Sequence, residues 1–270
     1  MTETKSRKYY LLLLIIISGL VIGAAGIYTY SRVNTGNAGG EYITQADAAV
    51  AAAGMSAKDR KATEAVVRAY ILDHPEIIPE AVAILQSREM ATRLDTLGPG
   101  LYAPFAGDFA GNPAGDVTVV EFTDYNCGFC RSTVADVTKL TSADKNIRLV
   151  YRELPILAPS SKEAALWALA AADQGKHDAF HQAMFAAGHP DSASIRKVAA
   201  SIGLDMAAAE KFVASPAASG EIEANSKFAR AIGFNGTPTF IIGNQILEGA
   251  QGFQPLKDAV DKVRKSKTAE

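Results

Sequence analysis

Cysteine is nearly absent from this chain, with two residues among 270. That scarcity excludes a scaffold stapled by several disulfides. It also argues against structural zinc, which takes about four ligands, because the four histidines (His74, His177, His181 and His189) show no finger-like spacing from the cysteines. Positive charge is not in excess: Lys and Arg number 27 against 29 Asp and Glu, a formal net of −2, which leaves no electrostatic footprint for nucleic acid. No internal repeat is evident. Long apolar runs are lacking outside the first thirty residues.

What is present is concentrated at one place. The two cysteines stand as Cys127-Gly128-Phe129-Cys130, directly after the strand-like run 117–122. A Cys-x-x-Cys pair where a strand gives way to a helix puts the first sulfur at the helix N-terminus. Unpaired backbone N–H groups and the macrodipole favour a thiolate there. The second sulfur lies one turn inside, within disulfide reach. A purely structural disulfide across so short a loop removes little unfolded-state entropy, so the spacing predicts a redox-active dithiol, with Cys127 attacking and Cys130 resolving.

The N-terminal run 9–30 is uncharged, and its 22 residues would span about 33 Å as a helix, enough for a bilayer core of about 30 Å. Lys5, Arg7 and Lys8 precede it and only Arg32 follows closely, so the positive-inside rule predicts a single N-in span, with residues 31–270 outside the cytoplasm. Small residues at Gly23-Ala24-Ala25-Gly26 keep a cleaved signal peptide as the competing reading, which would leave a soluble periplasmic protein. Residues 1–30 carry a net +2 against −2 for the whole chain, so the exported part is mildly acidic at −4.

Residues 31–55 lack a convincing apolar period and read as a tether. From residue 56 to about 97, Ala62, Val66, Val67, Tyr70 and Ile71 mark one helical face, and Ile78, Val82 and Leu85 mark a second. Two short amphipathic helices have little core of their own, so they dock on the main domain or on copies of themselves, a possible homo-oligomer. The main domain, residues 100–266, begins after Gly98-Pro99-Gly100. Strand 117–122, a helix to about residue 140 and strand 147–151 form a strand-helix-strand unit with a parallel pair. A helical insertion covers about 156–232. Strands follow at 236–242 and 245–248, and a last helix covers about 254–265. Phe105, Phe109, Trp167, Phe180, Phe185 and Phe253 read as core or groove-lining. His177 and His181, at i and i+4, lack a third ligand at a supporting spacing, so neither a metal site nor a cofactor is assigned.

The run Glu121-Phe122-Thr123-Asp124-Tyr125-Asn126-Cys127-Gly128-Phe129-Cys130, followed far downstream by Gly236-Thr237-Pro238-Thr239-Phe240, resembles the thioredoxin-like DsbA family of thiol-disulfide oxidoreductases. Gly111-Asn112-Pro113, Arg152-Glu153-Leu154-Pro155 and residues 229–233 are similar to its ScsC-like and Com1-like subgroup, and residues 57–93 to the N-terminal region of ScsC-like proteins, which oligomerises in some members. The resemblance implies an α/β thioredoxin-like fold with a helical insertion. It implies a cis-proline at Pro238 opposite the dithiol, a substrate groove formed by Thr237, Pro238, Gly128 and Phe129, and a buried acid at Glu121 able to accept the proton of Cys130. Implied partners are unfolded or misoxidised exported proteins and a DsbB-like or DsbD-like membrane redox protein.

Gly128-Phe129 departs from the Pro-His dipeptide of the strongly oxidising members and supplies no histidine to stabilise the thiolate. The expected potential lies between the strong-oxidant value of about −120 mV and the thioredoxin value of about −270 mV. Oxidase and isomerase or reductase directions both stay open. A thiol-based copper-handling protein, since soft thiolates suit Cu(I), and a non-catalytic exported interaction module are the other readings.

Overall fold

A computed structural model describes residues 38–268, and the chain divides into two compact units with the boundary between Pro79 and Glu80. Among the described residues no helix is long and apolar enough to cross a membrane, and the run 9–30, read above as an anchor, lies outside them.

The first unit contains helices α1 (Ala38–Ala52) and α2 (Ala57–Asp73). The tether expected over residues 31–55 is corrected here: most of it is α1. Its alanines have the highest helix propensity of any residue, and a helix that buries no face needs no apolar period. Tyr42 and Ile43 are accordingly exposed. A capping box starts α2: the Ser56 hydroxyl accepts the Asp59 N–H at 3.3 Å, and the Asp59 carboxylate accepts the Ser56 N–H at 2.9 Å. No residue of α2 is buried, and Val66, Val67, Tyr70 and Leu72 stand in solvent.

Helix α3 (Ile77–Leu97) leads into the second unit, where Arg93 Nη1 donates to the Ile232 carbonyl at 2.6 Å and Leu94 is buried. The sheet has the order β1-β3-β2-β4-β5, made of β1 (Phe109–Gly111), β2 (Val117–Thr123), β3 (Ile147–Glu153), β4 (Thr239–Ile242) and β5 (Gln245–Glu248). β2 and β3 are parallel, with α4 (Gly128–Ala143) as their crossover, and the other pairings are antiparallel. β2 and β3 are buried along nearly their whole length, with Val, Ile, Leu, Phe and Tyr toward both faces and the polar Glu121, Thr123, Arg152 and Glu153 buried among them. On one face Val119, Leu149 and Phe240 pack with Val137 and Leu140 of α4 and with Leu256 and Val260 of α10 (Phe253–Thr268). On the other, Val120, Phe122, Val150 and Ile241 pack with Leu94, Ile232 and Phe234.

Five helices lie between β3 and β4: α5 (Pro159–Asp173), α6 (His177–Ala187), α7 (Ser192–Ser201), α8 (Met206–Val213) and α9 (Pro216–Ile232). α5 and α9 start earlier than their apolar periods suggest, because Pro159 and Pro216 occupy the first helical position, where a missing N–H costs nothing. Trp167, Phe180, Met184 and Ile195 form a third core that reaches Tyr125, Cys127 and Cys130. The insertion thus forms one wall of the dithiol. β1 has no counterpart in the sequence pattern, because three residues on a sheet edge are too few for a visible alternation.

Candidate active site

Thr123 ends β2 and Gly128 begins α4, and the four residues between them set the dithiol. Asp124 organises this loop. Its Oδ1 accepts the Asn126 N–H at 2.8 Å, while its Oδ2 accepts the N–H groups of Ile156 and Leu157 at 2.8 and 3.0 Å. Asn126 Nδ2 donates to Ser160 and Ser161, both at 2.9 Å, which ties the loop to the start of α5. Cys127 is the N-cap of α4, and its sulfur accepts the Cys130 N–H at 3.2 Å.

Both cysteines are free thiols. Cys127 is 5% exposed and Cys130 is fully buried. As a thiol, Cys127 donates to the Thr237 carbonyl at 3.1 Å, and the Thr237–Pro238 peptide bond is cis. Interaction with the Cys130 thiol, the Thr237 side chain and the backbone N–H groups of Cys130 and Phe129 favours the Cys127 thiolate over the opposing effect of burial. It brings the thiol down to about 6. Burial and the adjacent Cys127 push Cys130 far upward. One sulfur is poised as a nucleophile and the other holds its proton. Gly128 has open space where a side chain would begin, and Phe129 projects into solvent, 68% exposed. Ile156 and Leu157, on the loop held by Asp124, are exposed apolar side chains as well.

Glu121 is 1% exposed and faces α4 from β2. Burial, then Glu153, then Cys127 raise its carboxyl to about 8, and its Oε2 has no hydrogen-bond partner among the described residues. The structure therefore brings Cys127, Cys130, Thr237, Pro238 and Glu121 to one place, with Gly128 and Phe129 at its rim. His177 and His181 lie in the core, where His177 meets Asp108 and Glu153. Asp124 forms an Asx turn onto the Asn126 N–H, a loop role that Asp commonly takes but that its place in the sequence does not single out. Asp108 has no local signal, and Glu153 stands out only as part of the Arg152-Glu153-Leu154-Pro155 run.

The DSBA-like thioredoxin domain matches residues 118–261, over half of the chain. The chain belongs to this family. The domain is thus of the DsbA-like thiol-disulfide oxidoreductase type. Residues 59–91 match the N-terminal domain of the copper resistance protein ScsC. Among solved structures, a thioredoxin-like oxidoreductase from Silicibacter pomeroyi DSS-3 is 42% identical, with a TM-score of 0.60 over 62% of this chain and 98% of that one. A linker-deletion mutant of Proteus mirabilis ScsC is 26% identical, with a TM-score of 0.59 over 77% and 96%. A periplasmic thioredoxin-like protein from Salmonella enterica serovar Typhimurium is 25% identical, with a TM-score of 0.53 over 62% and 95%. The curated relatives are sodium/proton antiporters, such as NhaA 3 of Salinispora tropica, 30% identical over 149 residues. These residues are 53% of this chain, which spans only 22% of that relative's length.

Proposed function

We propose that this DsbA-like chain is an extracytoplasmic thiol-disulfide oxidoreductase that exchanges disulfides with exported proteins through a mixed disulfide on Cys127. The observation that carries this reading is the contrast between the two sulfurs: Cys127 at a helix N-cap with its thiol lowered to about 6, and Cys130 buried and raised. In the oxidative direction a substrate thiolate attacks Cys127 Sγ, the Cys127–Cys130 bond breaks, and Cys130 leaves and takes a proton from Glu121. A second substrate thiolate then attacks the substrate sulfur of the mixed disulfide, and Cys127 leaves as a thiolate. The reductive direction runs these steps backwards, with Glu121 accepting the proton of Cys130. Thr237 and Pro238 supply the backbone edge for an extended substrate strand. The exposed apolar side chains of Phe129, Ile156 and Leu157 suit unfolded chains rather than one folded surface.

The run 9–30 would hold the protein in the inner membrane with the domain outside, which agrees with the periplasmic thioredoxin-like relative. A DsbB-like partner would recharge an oxidase and a DsbD-like partner an isomerase or reductase. The solvent-exposed apolar residues of α2, with Ile78, Val82, Ile84 and Leu85 at the start of α3, support assembly through these helices. Incubating a Cys130→Ser variant with a disulfide-containing substrate tests the core of the proposal: a trapped mixed disulfide on Cys127 supports it, and none refutes it. The match of residues 59–91 to the ScsC N-terminal domain favours one second reading, copper handling by the dithiol. Titration of the reduced protein with Cu(I) decides it, since absence of tight binding dismisses the idea.

A further inference from the structure

Behind Glu121 lies a set of buried ionisable groups that disulfide exchange, as described above, does not use. His177 Nε2 stands 2.9 Å from Glu153 Oε1 and 3.0 Å from Asp108 Oδ1, and all three side chains are fully shielded. Nε2 carries at most one hydrogen, and its hydrogen bond is to Glu153, which leaves Asp108 Oδ1 close by without one. Tyr125 Oη donates to the same Glu153 oxygen at 3.1 Å and lies 3.5 Å from His181 Nδ1. Glu153 Oε2, Asp108 Oδ2 and His177 Nδ1 have no hydrogen-bond partner among the described residues. Unsolvated and unpartnered oxygens disfavour the charged form. Burial accordingly raises Asp108 to about 8, raises Glu153 well above the usual carboxylate range and lowers His177. Burial without partners therefore favours the protonated, uncharged carboxyls in this set over a salt bridge.

It connects to the dithiol through the sheet. In the parallel register of β2 and β3, Glu121 pairs with Tyr151 and Thr123 with Glu153, so Glu121 and Glu153 project from one face of neighbouring strands. The remaining charged and titratable neighbours are committed elsewhere. Asp124 accepts three backbone N–H groups, and Asp178 accepts from Tyr151 Oη at 3.0 Å. Arg152 pairs with Glu221 at 2.6 Å, and Asn225 donates to the Glu153 carbonyl at 3.2 Å.

We propose that Glu153, held by His177 and Tyr125 with Asp108 on the other side of the imidazole contact, is a positioning residue that acts through Glu121 and sets the pH at which the dithiol exchanges its second proton. This rests on the exchange reading above. When a substrate dithiol reduces the protein, it leaves as a disulfide and releases its two protons to solvent, and its two electrons break the Cys127–Cys130 bond. Cys127 stays a thiolate, Cys130 takes the proton of Glu121, and Glu121 regains one from the Glu153 set, which solvent refills.

The test is the equilibrium of the full-length protein with glutathione as a function of pH, for wild type, Glu153→Gln and Asp108→Asn. On reduction the wild type should take up the one proton that Cys130 keeps and, over a limited pH window in which the new Cys127 thiolate raises Glu121, part of a second on Glu121. Glu153→Gln removes a group whose ionisation, as pH rises, opposes that of Glu121, so the window should move to lower pH and the equilibrium constant inside it should change several-fold. Asp108→Asn should move it in the same direction by less, and it carries the test if Glu153→Gln does not fold. Variant curves that superimpose on wild type overturn the proposal, even if the variants are less stable, because packing alone would then explain the cluster. A wild-type protein that never equilibrates with glutathione refutes the exchange reading itself and this inference with it.

Discussion

At the dithiol, two sulfurs in one helical turn differ in proton affinity because one caps the helix and the other lies beneath it. Cys127→Ser should abolish exchange with a model dithiol substrate, whereas residual turnover would move the nucleophile elsewhere. Alkylation of the reduced protein should follow a thiolate that appears near pH 6, read as the inflection of rate against pH. The sign of the linked stability follows from this. Cys127 is lowered on folding from an unfolded thiol value of about 8.5, so its contribution to the reduced form is fully present above that value. It is lost as pH falls through about 6. Urea unfolding of the reduced and disulfide forms from pH 5 to 9 should show the reduced form gaining ground with rising pH. Glu121→Gln should slow resolution by Cys130 about 100-fold near neutral pH, the low end for loss of a general acid-base group. An unchanged single-turnover rate would remove it from the chemistry. Cys127 and Cys130 were legible from spacing alone, and Glu121, Thr237 and Pro238 from the resemblance. Asp108 and His177 were not, because 69 positions of chain separate them and only the fold brings them together.

Between elements, the least replaceable contact is Arg152. From β3 its guanidinium reaches Glu221 of α9 at 2.6 Å and the carbonyls of Gly100 and Ala103 at 2.5 Å, with the Leu101 carbonyl at 3.1 Å. Only 3% of that side chain is exposed, so Arg152→Met would strand a nearly buried carboxylate and several carbonyls. The expected loss is about 3–5 kcal/mol in urea unfolding, and a loss below about 1 kcal/mol would show that solvent already serves this cluster. The element order followed from periodicity where segments are long and buried. It failed where local chemistry replaces periodicity. α1 forms on alanine propensity without a buried face, and β1 contributes three residues whose pairing with Phe109↔Val150 register depends on the finished sheet.

For the whole molecule, the exposed Val66, Val67, Tyr70 and Leu72 of α2 are more apolar surface than a solvent-facing helix needs. Light scattering on residues 36–270 should return a mass greater than one chain, falling to that of one chain when these four residues are replaced by Glu or Lys. A monomeric wild-type fragment would remove assembly from the account. The central claim concerns the dithiol, and its most direct test is the equilibrium reduction potential of Cys127–Cys130 against glutathione. With Gly128-Phe129 in place of a thiolate-stabilising dipeptide, a two-electron potential near −200 mV, by about 80 mV more reducing than a strong oxidant of this fold, is the expected result. A value of about −120 mV, or a pair that does not equilibrate with glutathione, would contradict it.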